Sequence, residues 1–525
     1  MKSSIPIERG AAGTARTLAI FGGDGTGASN ARRRGCALAL SFLLPLILVV
    51  GGCAVGPNYK RPAVNVPADF RSAQGQAVQA SLADLPWWEV FKDETLKGLI
   101  QTALTNNYDL RVAVSRVEQS RQIAVQARAQ YFPFLNYSVA SSDGRNEFGG
   151  TVSPNGGITR GTFIGGVNAA WEADVWGKIR RSNEAARAQY LSTEEARRGV
   201  MLSLVSEVAQ AYYDLLGLEL QLQIAVDTRD TFDESFKLFD ERLQGGVSSK
   251  LDTSRAAGAR DTAAGTIPEL QRQIALTENQ ISVLLGANPG AIPHTAKLLD
   301  EPVPPDVPAG LPSALLERRP DVLTAEQQVR AANAQVGVAV ANFFPQFGLT
   351  ALLGRASTPL SLLSSGQANV WSIAGNVAGP IFEGGLLTAQ KRQAVAYWEQ
   401  SKLQYQETAL NAFQDVANAL VSRQKFEATR IEQVKAVQDY QESVKIALLR
   451  YRAGKASYFE VLEAQQLLFP AENALAQTEL NRRIVIVQLY LALGGGWNLS
   501  DPQWTGAPIA PASPVAPAPA AVQKP

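Results

Sequence analysis

One histidine, two cysteines and two methionines in 525 residues leave little with which to build reactive or metal-binding chemistry. His294 stands in a Pro-rich connector and the cysteines, Cys36 and Cys53, are isolated. Neither a zinc set nor a His-based catalytic cluster can be assembled from them. The acid–base chemistry of most enzymes needs better-placed groups, so the chain reads as a non-enzyme without cofactor or metal. Charge of one sign is lacking too: a net +1 with 18% charged residues gives no basic surplus, which excludes nucleic acid as a partner. After Cys53 no apolar run is long enough for a membrane helix. The one methionine beyond that point, Met201, offers no soft-metal relay, which argues against copper or silver as cargo.

Helix breakers are missing from two long stretches. Leu386 to Ala453 contains neither Gly nor Pro, and Lys178 to Gln244 has no Pro and only Gly199 and Gly217. An uninterrupted helix over the first of these would run roughly 100 Å. Its apolar positions recur at three-four spacing, as in Leu410, Phe413, Ala417, Leu420, Ile431 and Val434, with polar residues between them. A seam that narrow needs partner helices, from the same chain or from copies of it. The two stretches correspond at an offset of 208: Val208, Ala209 and Ala211 match Val416, Ala417 and Ala419, then Arg242, Gly246 and Ser249 match Arg450, Gly454 and Ser457, and Gly286 matches Gly494. With an offset of 212, Tyr131-Phe132-Pro133 matches Phe343-Phe344-Pro345. The chain is a tandem duplication, each half one structural unit.

In chain order, Arg32-Arg33-Arg34 and the apolar run Cys36 to Val50 have the parts of a secretory signal. Val50-Gly51-Gly52-Cys53 resembles a bacterial lipobox, with Cys53 the acylated first residue of the mature chain; multiple acyl chains would hold it firmly in a leaflet. An n-region reaching back to Met1 is unusually long, which suggests a later start. Gly22-Gly23-Asp24-Gly25-Thr26 within it looks like a phosphate loop but has no domain behind it. The expected organisation is a signal over 1–52, an extended arm over 53–86, a first repeat over 87–288, a connector over 289–312, a second repeat over 313–497 and a disordered Pro/Ala tail over 498–525. The first repeat holds strands 133–141 and 165–176, the long helix 178–244 and a hairpin tip 242–252. The second holds strands 346–354 and 370–382, the long helix 386–453 and a tip 450–460. Four strands cannot close a lipid-embedded barrel, so an oligomer must satisfy their edges; the alternative is a small open sheet capping a soluble helical bundle.

Cys53-Ala54-Val55-Gly56-Pro57-Asn58-Tyr59-Lys60-Arg61-Pro62, Trp87-Trp88 with Phe91, Gly310-Leu311-Pro312-Ser313, Arg318-Arg319-Pro320-Asp321 and Pro380-Ile381-Phe382-Glu383-Gly384-Gly385 together resemble the outer-membrane efflux protein family, the TolC-like channels, and within it the NodT-type lipoproteins of resistance-nodulation-division pumps. That resemblance implies a mainly α protomer with a small membrane β-barrel. Three chains would give a homotrimer with a 12-stranded barrel in the outer membrane and an α-helical tunnel through the periplasm. It further implies partners: a periplasmic adaptor, an inner-membrane pump and outer-membrane lipid. At the periplasmic end the positions matching the family's gate are Phe459 and Glu463, with Gln466 where relatives commonly carry Arg. Arg242, Gly246, Ser249, Arg450, Gly454 and Ser457 match its adaptor-contact tips. A type I protein-secretion duct would share the body, and a pore-less lipid-anchored coiled-coil scaffold would share the helices; bilayer conductance separates the scaffold from a duct.

Overall fold

The computed structural model describes residues 54–71, 81–145, 159–300 and 310–504; Cys53, the lipobox, the signal and the Gly22–Thr26 motif lie outside them. The elements run α1 (Trp87–Val90), α2 (Glu94–Asn106), α3 (Tyr108–Ala129), β1 (Phe134–Arg145), β2 (Thr159–Ala173), α4 (Lys178–Gln244), α5 (Lys250–Leu284), α6 (Leu315–Arg318), α7 (Pro320–Ala341), β3 (Gln346–Ser357), β4 (Asn369–Ala378), α8 (Leu386–Arg452), α9 (Tyr458–Ala492) and α10 (Asp501–Trp504).

The duplication is visible in the lengths. Helices of 22, 67 and 35 residues recur in each half as α3, α4 and α5 and again as α7, α8 and α9. At 1.5 Å per residue each long helix spans about 100 Å. Their starts share a device as well: Gly177 and Gly385 sit in the left-handed region at φ +81 and +89, where a Cβ would be strained. The shorter helices lie along the long ones, α3 and α5 on α4, α7 and α9 on α8, and α4 packs against α7 and α9 of the other half. Where α4 meets α9, a Cβ on Gly217 would come within 2.7 Å of Leu480 Cδ2, so the missing side chain sets that spacing.

Two apolar clusters hold the helices. The larger one joins Trp87, Phe91, Leu96 and Ile100 to Tyr212, Leu215 and Leu216 of α4 and to Leu489 and Tyr490 of α9. The smaller lies toward the hairpin tips and contains Phe232, Phe239, Tyr458, Val461 and Leu462.

The sheet is four-stranded, antiparallel and ordered β1-β2-β3-β4, which leaves β1 and β4 as edges. Strand limits differ from the sequence reading. β1 continues past 141 to Arg145, β2 begins at Thr159 instead of 165 and ends at Ala173, β3 continues to Ser357, and β4 stops at Ala378 instead of 382. Ser, Gly and Thr there look like loop residues, yet some are needed by the sheet. A Cβ on Gly354 would lie 2.5 Å from Gly165 O, and one on Gly166 2.9 Å from Leu353 O, so β2 and β3 approach closely only as glycines.

The tail also departs from expectation. Asp501–Trp504 is helical and Trp504 is buried, its carbonyl accepting the Trp87 indole N–H at 3.2 Å; an indole with this much apolar surface to bury overrides the Pro-rich context. Residues 505–525 lie outside the described segments.

The arm, 54–71, is extended and docked on the body. Val55 N donates to Trp176 O at 3.0 Å, and Gly56, at φ +93, is seated so closely that a Cβ would lie 2.5 Å from Gly337 Cα. Arg61 then pairs with Glu326 at 2.8 Å and with Glu317, while Tyr59 donates to Glu326 at 3.1 Å. Arg330 reaches the same Glu326 carboxylate at 2.6 Å, so this buried acid is enclosed by donors, as a buried carboxylate must be.

Candidate functional site

Two surfaces stand out: the sheet and the hairpin tips. Across the sheet, Tyr137, Val167, Leu353 and Trp371 are successive register partners and therefore share one face. All four are exposed, Tyr137 by 85% and Trp371 by 75%. Leu135, Val139, Leu349, Ile373 and Val377 extend that face and are exposed too. The opposite face is mixed, with Asn136, Ser138, Asn168, Thr350, Ser372 and Asn376 beside Phe134, Ile164, Leu352 and Val370. A sheet with one bare face dominated by large apolar side chains and the small polar ones just named on the other has the bias of a barrel wall between lipid and water. Strands of 12, 15, 12 and 10 residues are each long enough to cross a bilayer. No helix among the described residues is long and apolar enough to do so.

Aromatic residues mark where strands give way to helices. The Trp176 indole donates to Pro345 O at 2.8 Å and stacks on Phe344 at 4.6 Å, and the Trp171 indole donates to Tyr131 O at 3.0 Å. Amphipathic rings at that level suit a membrane–water boundary. Ala54, the first described residue, packs at the same junction: a Cβ on Gly177 would fall 2.7 Å from its Cα.

At the other end of the long helices, two hairpins turn through Gly246 and Gly454, both left-handed at φ +74 and +68. Ser249 caps α5 by accepting the Asp252 amide at 3.2 Å, whereas Ser457 opens α9 without a side-chain cap. Arg450 and Glu460 stand 3.6 Å apart and are both exposed. Arg242 leaves its own hairpin and reaches the other: its guanidinium lies 4.8 Å from the Tyr451 ring centroid and donates to the Tyr451 hydroxyl. Beneath it Phe239 packs on Tyr458 at 3.9 Å. Burial, helped by the negative charge of Asp252, pushes the Tyr458 phenol up to about 12.

Of the expected gate residues, Phe459 and Gln466 line one groove of about 500 Å³ between α9 and α5, whose floor is made of the small residues Gly258, Ala259, Thr262 and Ala263. Glu463 lies on the same side of α9, one turn from Phe459, exposed to solvent and not part of that groove. Sequence reading missed Arg255, whose guanidinium sits 5.9 Å from the Phe459 ring centroid, and the Arg242–Tyr451 link. Neither has a local signature, because each joins residues from different halves of the chain. Cys53 lies outside the described residues, and these hold no cluster of His, Cys, Asp and Glu fit for a metal ion.

Comparison with known proteins places this geometry. The sequence profile of outer membrane efflux proteins matches residues 99–287 and 311–495, one match to each repeat. The chain is 35% identical over 463 residues to the Escherichia coli K12 "cation efflux system protein CusC", an alignment covering 86% of this chain and 99% of that one. It is 36% identical over 466 residues to the "probable efflux pump outer membrane protein TtgC" of Pseudomonas putida KT2440, covering 87% and 96%. Among solved structures, the open state of the Neisseria gonorrhoeae MtrE outer membrane channel superposes with a TM-score of 0.77 at 29% identity, covering 85% of this chain and 99% of that one. A CusC structure gives 0.76 at 34% identity, covering 84% and 100%.

Proposed function

Since the chain belongs to the outer membrane efflux protein family, we propose that it is the exit duct of a tripartite efflux pump, a passive conduit through the outer membrane. The observation that carries the reading is the register row Tyr137–Val167–Leu353–Trp371, bare on one side of a sheet whose two edges are open. Apolar side chains in that number and exposure belong against lipid, and a sheet in lipid must have no free edge. Three copies joined β4 to β1 give twelve strands, within the range of closed membrane barrels. The same three-fold assembly would continue as a helical tunnel and gather three copies of Phe459, Glu463 and Gln466 at its far end.

In this reading the chemistry is positional and electrostatic. Three exposed Glu463 carboxylates around a narrow mouth would favour cations, and Phe459 would narrow it. The paired tips carrying Arg242, Gly246, Ser249, Arg450, Gly454 and Ser457 would meet the helices of a periplasmic adaptor, which with an inner-membrane resistance-nodulation-division pump completes the assembly. Cys53 would bear the acyl anchor, and Ala54 at the strand–helix junction is where an anchor in the periplasmic leaflet would lead. The relatives' names span cations and toluene, so cargo does not follow from the duct.

Electron microscopy of the purified protein tests the assembly. A three-fold hollow tube is expected, and a solid or monomeric rod would overturn it. Planar-bilayer recording then separates a duct from a scaffold, which passes no current.

A further inference from the structure

Between the tips and the middle of the body, α4, α8 and α9 enclose a half-open cavity of about 530 Å³. Its walls are largely aliphatic and aromatic, with Ile224 and Phe232 from α4, Val434 and Val437 from α8, and Phe469 and Leu475 from α9. That is the size and character of a small-molecule site. Its charged groups are three carboxylates, Asp227, Glu472 and Glu479, and one guanidinium, Arg430. Glu472 is half-buried and receives only the Gln441 amide, at 3.1 Å. Asp227 stands at the rim, bonded by Gln223 at 2.8 Å. Neither carboxylate has an ion-pair partner among the described residues. The one cation on the lining, Arg430, is bound to Glu479 and lies near Glu427 at 3.8 Å.

A second observation points the same way. Gln465 lines the cavity and is 4% exposed, and its carbonyl oxygen accepts no hydrogen bond. Turning the amide around would give up the bond from its NH₂ to Ser235 Oγ, and the Ser235 hydroxyl could meet the carbonyl only by leaving Thr231 O. An acceptor buried and unmet is costly to keep. So the cavity sets those two carboxylates and an unmet buried carbonyl inside an apolar wall, with its one cation, Arg430, already paired.

We infer that this cavity binds a compact apolar molecule bearing a protonated amine, its body against Val437 and Phe469 and its ammonium on the Glu472 carboxylate, with the Gln465 carbonyl a further acceptor two turns along the same wall. Burial, with the negative charge of Asp227 added, raises the Glu472 pKa, as it would for a carboxylate held without its cation. The inference concerns the wall of the helical body and stands whether or not the chain conducts.

The test is calorimetric titration of the full-length protein in lipid nanodiscs with 1-adamantylammonium, empty discs serving as the blank and adamantane-1-carboxylate as the anion of the same shape. Saturable binding of the ammonium, one per chain, is expected, with the carboxylate silent. Glu472→Gln keeps the side-chain shape and should weaken binding about tenfold, the loss of one charge-assisted hydrogen bond. Val437→Trp should abolish binding by filling the cavity. Equal binding of the anion, unchanged affinity in Glu472→Gln, or no saturable binding because another chain covers the cavity would each overturn the inference. If Val437→Trp fails to fold, the Glu472→Gln comparison alone decides.

Discussion

Arg242 and Tyr451 bind the two hairpin tips to one another: the guanidinium at the end of α4 donates to the hydroxyl at the end of α8 and lies 4.8 Å from its ring centroid. The contact is partly buried and crosses between the halves of the duplicated chain. In a duct that opens at this end, it is a clasp that must slacken. Removing it leaves Phe239 on Tyr458 and so keeps the fold of each hairpin. Tyr451→Phe should raise basal single-channel current, and Arg242→Ala should raise it further, since that variant also loses the cation–π contact. A double-mutant cycle on thermal unfolding is expected to give a coupling of about 1–2.5 kcal/mol, the sum of a cation–π contact and a hydrogen bond. Currents equal to the parent in both variants would remove the clasp from the gating account.

Glu463 makes a separate prediction. It is exposed on α9 and has no ion-pair partner among the described residues, so its replacement should cost little stability, within about 0.5 kcal/mol. Glu463→Ala should lower the cation preference of the open channel, read as a shift in reversal potential under a salt gradient, or raise basal conductance. Unchanged current and selectivity would exclude Glu463 from the mouth.

The arm yields a stability test. Glu326, with a side chain only 6% exposed, is shared by Arg61, Arg330 and Tyr59. Arg61→Ala removes one partner and opens a site where water can reach the others, at a cost of about 1–3 kcal/mol. We expect residues 54–71 to be released first, seen as faster proteolysis within the arm before the helical body is cut. Gly56→Ala should do the same by forcing a Cβ against Gly337. Simultaneous loss of arm and body in either variant would show that the arm is no independent unit.

How much of this was legible in the sequence differs element by element. The long helices were, because the absence of Pro, with no Gly in one stretch and only Gly199 and Gly217 in the other, leaves little to break a helix. The four strands were found, but their ends were not: Ser142, Gly161 and Ser357 look like loop residues when only local propensity is read. Strand ends here are set by partners, as when Gly354 must be bare for Gly165 to approach. Trp504 was assigned to a disordered tail because its neighbours are Pro and Ala, whereas its burial depends on Trp87, far away in sequence. At the tips, Gly246 and Gly454 announced the turns, but the bond from Arg242 to Tyr451 and the groove shared by Phe459 and Gln466 are tertiary facts. The cavity beside Glu472 had no sequence signal, being built from three helices of both repeats.

The only histidine gives the last prediction, a pH dependence with a defined sign. His294 has its side chain 9% exposed; Nδ1 lies 2.8 Å from Ile292 O and Nε2 2.8 Å from Glu219. Both neighbours accept, a carbonyl at one nitrogen and a carboxylate at the other, so the doubly protonated ring satisfies both. Burial alone would lower its pKa, but the Ile292 carbonyl and the Glu219 carboxylate, with Asp93 beyond, outweigh this and raise it above 6.5. A group that binds its proton more tightly when folded contributes stability that is whole below its unfolded pKa and fades as pH rises through the folded one. The connector that His294 fastens to α4 should therefore loosen on the alkaline side. The guanidinium midpoint of the parent is expected to fall between pH 6 and about pH 8.5, with His294→Gln showing a flatter slope over the same window and Glu219→Gln an intermediate one. A slope in His294→Gln equal to the parent's would mean that other groups carry the dependence and that the imidazolium clasp contributes nothing to it.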